Sequence, residues 1–166
     1  MNETIKSIKE RRSIRKYKDR EIPKEILEEL VDCGRLAPSA RNVQPWEFIV
    51  VTEKETLKML GKIISTGPFV EDSAACIVIC GDAVNHHLIE DGSAATENIL
   101  VAAHSLGLGA CWVAGYNRTY NNKVKEILGI PGDKVLVAFI PIGYPDETAA
   151  KRTTRDLKEV IHWEKY

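Results

Sequence analysis

No apolar run in this sequence approaches the roughly 20 uninterrupted residues that a membrane-spanning helix needs, and Met1-Asn2-Glu3-Thr4 leads into charged residues where an apolar signal core would stand. Neither sign of charge prevails. The 23 Lys and Arg nearly cancel the 24 Asp and Glu, so the long-range attraction on which a dedicated nucleic-acid binder relies is missing. There is no low-complexity tract and no internal period of the kind that builds a solenoid. Cysteine is scarce, and Cys33, Cys76, Cys80 and Cys111 include no Cys-x-x-Cys pair. Together these absences predict a soluble, cytoplasmic protein with buried free thiols and neither a nucleic-acid nor a membrane partner.

What is present is ordinary globular composition, 44% apolar and 28% charged over 166 residues, which is enough for one core and short for two. A single domain over 1–166 is expected. Ile5 and Ile8 among charges predict a short amphipathic helix over 3–11 capped by Asn2. Pro23 suits a first helical position, and Ile26, Leu27, Leu30 and Val31 behind it predict a helix over 23–35. Two prolines, Pro38 and Pro45, mark an ordered loop before a strand from Trp46 to Val51. Thr52 with Glu55 is a capping-box pattern for a helix running to about Ile64. Ala74 to Cys80 is wholly apolar and predicts a strand covered on both faces, with Cys76 and Cys80 on one side as packing groups. From Asp91 to Leu106 apolar residues spread around the whole helical circumference, which calls for cover on all sides, and a second subunit would supply it. Strands are predicted over 110–114 and 135–142, with a short helix over 120–129 between them. Leu157, Val160, Ile161 and Trp163 then return apolar groups after a polar tail, and should dock on this domain or on a neighbour.

Three segments carry groups suited to chemistry. Arg11-Arg12-Ser13-Ile14-Arg15-Lys16-Tyr17 gathers guanidinium groups and a hydroxyl that can bind a phosphate through charge-assisted bonds. Taken alone, it also reads as a helix C-terminus whose basic residues offset the dipole. Pro38-Ser39-Ala40-Arg41-Asn42-Val43-Gln44-Pro45-Trp46 offers hydroxyl, amide and backbone groups for a planar polar ligand, or is a plain connector. His86, His87 and Glu90 put metal-capable groups close together, but not in the His-Glu-x-x-His order. His104 reads as a core histidine. Phe69, Trp112, Tyr116 and Tyr120 could line a pocket, although core packing is the stronger expectation for each.

In their order along the chain these segments resemble the nitroreductase-like flavoprotein family. Arg11 to Tyr17 is similar to its N-terminal phosphate-binding motif, and Ala37-Pro38-Ser39 through Asn42, Gln44-Pro45-Trp46 and Phe48 to its signature loop and strand. The Asp91 helix, Leu106-Gly107-Leu108-Gly109, the strand to Ala114-Gly115, and Glu159-Val160-Ile161-His162-Trp163 continue the match.

The resemblance implies an α+β nitroreductase-like fold, with a mixed, mostly antiparallel sheet flanked by helices, in an intertwined homodimer with FMN at the interface. It places Arg11, Arg12 and Ser13 near the phosphate and ribityl chain and Arg15 near the pyrimidine edge, where a cation stabilises the reduced, anionic ring. Pro38, Ser39, Ala40 and Asn42 would come from the other subunit, and the backbone of Ala114 and Gly115 would lie near flavin N5. One of Lys151, Arg152 and Arg155 would close over the phosphate. Many members carry Glu where this chain has Ala114, which implies a different local pocket. The implied activity is an FMN-dependent NAD(P)H oxidoreductase that passes hydride to a nitroaromatic, quinone or similar acceptor by a ping-pong mechanism, with no side-chain nucleophile. A flavin-binding or flavin-processing protein without reductase activity is one alternative. A metal-dependent enzyme built on His86, His87 and Glu90 is the other.

Overall fold

A computed structural model describes residues 1–166. Along the chain run α1 (Glu3–Glu10), α2 (Lys24–Arg35), β1 (Trp46–Val51), α3 (Lys54–Ile63), β2 (Ala75–Asp82), α4 (Leu88–Ser105), β3 (Gly109–Ala110), β4 (Val113–Ala114), α5 (Asn121–Leu128) and β5 (Lys134–Gly143). Single-turn 3-10 helices lie at Ala40–Asn42, Pro68–Asp72 and Leu157–Glu159. The strands form one sheet in the order β1-β2-β5-β3, with β4 also on β5, and every ladder is antiparallel. A parallel bridge joins Ser13 to Ala110. No helix is long and apolar enough to cross a membrane.

Side chains alternate across a strand, and β2 uses this to divide the core. Ala75, Ile77 and Ile79 pack with Leu27 and Leu30 of α2 and Ile99 and Ala103 of α4, whereas Cys76, Val78 and Cys80 pack with Leu57 and Leu60 of α3 and Val124 of α5. The central strands are therefore apolar on both faces because both faces are covered, as the run from Ala74 to Cys80 predicts. Cys76 and Cys80 do share a side, and burial pushes the Cys76 thiol up to about 12. On β5 the alternation breaks once. Val137 and Ala138 both face the α2/α4 layer, since the register slips opposite Ile79 and Cys80. Such a bulge bends its strand, and here it does so beside β4.

Several boundaries differ from the sequence reading. Pro23 is the N-cap of α2, with ψ 141°, not its first helical residue. The Thr52–Glu55 capping box does not form. The N-cap is Glu53, whose carboxylate accepts from the Thr56 hydroxyl, because the helix starts one residue later than a Thr52 cap requires. The strand expected over 110–114 is interrupted at Cys111 and Trp112, and α4 begins at Leu88, ahead of Asp91. The C-terminal segment does not bury itself on its own chain. Trp163 is 76% exposed, and Leu157 and Val160 are exposed as well.

Candidate functional site

Only the start of the basic segment is a helix end. Arg11 is the C-cap of α1, with φ −51° and ψ 134°, and the chain leaves the helix there. Beyond it, the Ile14 N–H donates to Ala110 O (3.0 Å), the Lys18 N–H to Tyr144 O (2.8 Å), and the Asp146 N–H to Lys16 O (3.0 Å). From Ser13 onward the segment thus runs between β3 and the exit of β5, while Arg11 and Arg12 stay at the C-terminus of α1. The buried Tyr17 hydroxyl lies 2.6 Å from Ile14 O and 3.2 Å from Pro141 O, and burial raises its pKa.

Alternate residues of extended backbone share a face. Arg11, Ser13 and Arg15 stand at alternate positions, and all three act on the Cys111 thiol. Ser13 and both guanidinium groups favour the Cys111 thiolate, but burial outweighs them and pushes the thiol up. Arg12 turns onto the carbonyls of Lys9 and Arg11, each 2.8 Å away, and braces the segment from behind. Arg11 has Glu97 at 3.5 Å. Arg15 has no carboxylate partner. Its guanidinium carbon lies 5.7 Å from the centre of the Phe69 ring, while Glu147 takes the backbone N–H groups of Arg15 (2.5 Å) and Lys16 (3.1 Å). In the tail, Arg152 donates to Arg11 O at 2.9 Å, Arg155 folds back onto Glu159 O at 2.8 Å, and Lys151 is exposed.

The second wall runs from Ala110 to Gly115. The Cys111 N–H donates to Pro141 O (3.3 Å) and the Gly115 N–H to Val137 O (3.0 Å). Hydrogen-bonded and open positions alternate in an antiparallel ladder, so Ala110, Trp112 and Ala114 point their N–H and C=O groups away from β5. Ala110 O receives the Ile14 N–H, and Ala114 O receives the Tyr120 hydroxyl at 3.1 Å. The N–H groups of Trp112 and Ala114 therefore point off the sheet edge. Gly115, also expected near the ligand, spends its own N–H on β5 and its carbonyl on Asn121 Nδ2, at 2.7 Å.

The third element, the loop from Pro38 to Pro45, is strained. Arg41, Asn42 and Gln44 all have positive φ, 53°, 56° and 52°, a conformation costing non-glycine residues about 1–3 kcal/mol each. Ser39 Oγ and Asn42 Oδ1 accept from the backbone and side chain of Gln44, each at 3.0 Å, and Asp91 Oδ1 accepts from the Ala40 N–H at 3.0 Å. Asp91 is buried with its other oxygen unpartnered. The loop is tied to α4 at Asp91 and the basic segment at Glu97. Six residues amount to about 9 Å of rise and about 120° of rotation, so the two look to different sides of that helix.

A free cation at Arg15, a second guanidinium and a hydroxyl on the same segment, a row of outward backbone N–H groups, and the Phe69 and Trp112 rings suit a flat, polar ligand with an anionic tail. The raised Cys111 thiol argues against nucleophilic chemistry. A cavity of about 920 Å³ lies elsewhere, between α2, the Lys18–Lys24 segment and the edge at Val50. Of its cations, Lys24, Arg35 and Lys54 are paired with Glu28, Asp32 and Asp19, and Arg20 lies over the Tyr144 ring. His86, His87 and Glu90 are exposed around the start of α4, and no group of three or more His, Cys, Asp or Glu side chains is disposed to hold a metal. The roles of Glu147, Glu97 and Asn121 had no local signal in the sequence. Glu147 lies 132 residues from Arg15.

An antiparallel sheet covered by helices on both faces, with a basic extended segment against its edge strand, is an α+β enzyme fold. The family model described as "Nitroreductase family" matches residues 8–90 and 66–144. The chain belongs to the nitroreductase family, as the motif order suggested. An Archaeoglobus fulgidus protein whose name gives NADH dehydrogenase/NAD(P)H nitroreductase as a provisional activity is 42% identical over 153 residues, 89% of this chain and 88% of its own. The Bacillus subtilis FMN reductase (NADPH) is 30% identical over 100% of this chain and 75% of its own. Among solved structures, the FMN-dependent nitroreductase of Clostridium difficile R20291 superposes with a TM-score of 0.88 at 37% identity, covering 98% of this chain and 99% of that one.

Proposed function

We propose that this protein is an FMN-dependent NAD(P)H oxidoreductase acting as a homodimer, which passes reducing equivalents to a nitroaromatic, quinone or similar acceptor in a ping-pong cycle. The observation that carries the reading is the segment of Arg11, Ser13 and Arg15 tied along β3 at Ser13 and Ile14, beside the outward N–H groups of Trp112 and Ala114. It offers charge for a phosphate at one end and hydrogen-bond donors for a flat heteroaromatic at the other. The names of the B. subtilis and C. difficile relatives include FMN, and this donor set fits that group.

When bound, FMN supplies the hydride chemistry itself. Arg11 and Ser13 hold the phosphate end, and Arg152, already on Arg11 O, is the tail residue best placed to close over it. Arg12 keeps the segment in place. Arg15 sets its free charge toward the ring, where it favours the reduced state, and Glu147 fixes the backbone that carries it. Ala114 contributes the N–H that Gly115 cannot. Pro38, Ser39, Ala40 and Asn42 serve the site of a second copy. Support for that copy comes from apolar surface left open in one chain. α1 buries none of its residues although Ile5 and Ile8 are 48% and 51% exposed, and the apolar tail is uncovered. A monomer in sedimentation at micromolar concentration would remove this part of the proposal.

The test is the visible spectrum of the purified protein supplemented with FMN, followed by anaerobic mixing with NADH and NADPH. Stoichiometric flavin absorbance that bleaches with one or both nucleotides is the expected result. Flavin that stays bound and coloured with both would leave a flavin carrier and refute the reductase reading.

A further inference from the structure

We infer that Tyr120 and Asn121, with Thr66 behind them, are positioning residues that aim the Ala114 N–H at the ligand, an assignment that rests on the flavin reading above. The Ala114–Gly115 peptide is held from both ends. Its N–H donates to Val137 O at 3.0 Å, at the bulge in β5, and its carbonyl accepts the Tyr120 hydroxyl at 3.1 Å. The next carbonyl, Gly115 O, accepts from Asn121 Nδ2 at 2.7 Å. A Cβ on Gly115 would stand 3.0 Å from the Val137 carbonyl carbon, so the backbones approach closely here. With these groups engaged, the Ala114 N–H is left pointing outward; it belongs to the Val113–Ala114 peptide, which joins the clamped peptide at the Ala114 Cα, so the Tyr120 clamp restricts the rotation that would turn it away.

Proton accounting extends the network. The Tyr120 hydroxyl has one proton, and giving it to Ala114 O makes Thr66 Oγ1, 3.0 Å away, the donor to Tyr120. Gly115 O can only accept, which fixes the Asn121 amide with its NH2 toward the peptide and leaves Oδ1 buried without a donor. An unsatisfied buried acceptor is costly, and the amide orientation that incurs it is the one that holds Gly115. Core packing explains the Tyr120 ring, tilted against Phe139 with centroids 6.3 Å apart. It does not explain a hydroxyl and an amide aimed at two successive carbonyls.

Tyr120→Phe keeps the ring and removes the clamp. Losing one well-aimed neutral hydrogen bond should raise the dissociation constant for oxidised FMN about threefold to tenfold. The N–H would favour the oxidised ring, which lacks a proton where the reduced ring has one, so affinity for reduced flavin should change little. By linkage the midpoint potential then rises about 15–30 mV for a two-electron couple. Thr66→Val should shift both quantities the same way, and Thr66→Ser, which keeps the hydroxyl, should restore them. The measurements are FMN titration by fluorescence quenching and dye-equilibrated potentiometry, with thermal unfolding of the apoprotein beside them. A lower apoprotein Tm with unchanged FMN affinity and potential would reduce the network to a structural cap and overturn the inference. Wild-type protein that binds no FMN would overturn the flavin reading as well.

Discussion

A single added methyl group tests whether the basic segment is positioned by the sheet. A Cβ on Gly109 would meet Ile14 Cβ and Cγ2 at 2.7 Å and Cγ1 at 2.9 Å, whereas carbon atoms rest comfortably at about 3.5–4.0 Å. Ile14 must therefore retreat by about 1 Å. It is buried and tied to Ala110 O by its N–H at 3.0 Å, so the retreat both overpacks the edge and stretches that bond. Overpacking costs about 1–3 kcal/mol and the bond about 1 kcal/mol, giving about 2–4 kcal/mol for Gly109→Ala. For a chain of this size that corresponds to a fall in Tm of about 5–15 °C. Arg11, Ser13 and Arg15 move with Ile14. Loss of one charge-assisted bond, about 1.5–3 kcal/mol, would weaken FMN binding about ten- to a hundredfold. Gly132→Ala is the control, since a Cβ there meets nothing within 4 Å. Differential scanning fluorimetry of the apoprotein and FMN titration read the two effects. A Gly109→Ala protein with wild-type Tm and wild-type affinity would refute the claim that this contact seats the segment.

Arg15→Ala should leave the fold within about 1 kcal/mol of wild type, because the side chain is exposed and has no carboxylate partner. Spectroelectrochemistry should find a lower flavin potential with a smaller change in FMN affinity, and the reverse pattern would mean that Arg15 holds the cofactor instead of tuning it. Tyr17 carries a pH dependence. Burial raises its pKa above the ordinary value near 10, so the folded protein retains a proton that the unfolded chain releases. The stability this contributes is complete below about pH 10 and declines above it. Urea midpoints taken at pH 9 and pH 11 should therefore fall less in Tyr17→Phe than in wild type, and equal falls would contradict this assignment.

Much of the fold follows from local signals, because they act over a few residues. The run from Ala74 to Cys80 is apolar at every position, which only a strand covered on both faces can use, and β2 is that strand. Helix boundaries were less legible. Thr52 and Glu55 have the right spacing for a capping box, but the turn between β1 and α3 starts the helix at Lys54.

The sequence by itself determined the two-faced strands, the helices between them and the order of motifs that marks the family, since each of these depends on residue types at short, regular spacing. Which groups make up the site was a matter for tertiary structure. Arg11 to Arg15 taken alone reads as a helix end, which Arg11 and Arg12 remain, until β3 and the exit of β5 draw the residues from Ser13 onward into an extended path. Choosing Arg152 over Lys151 and Arg155 required the tail to cross the Arg11 carbonyl. The choice of Ala114 over Gly115 as the outward donor came from ladder register against β5, a strand more than 20 residues away. Register and side-chain direction depend on partners distant in the chain, and no spacing within a single segment encodes them.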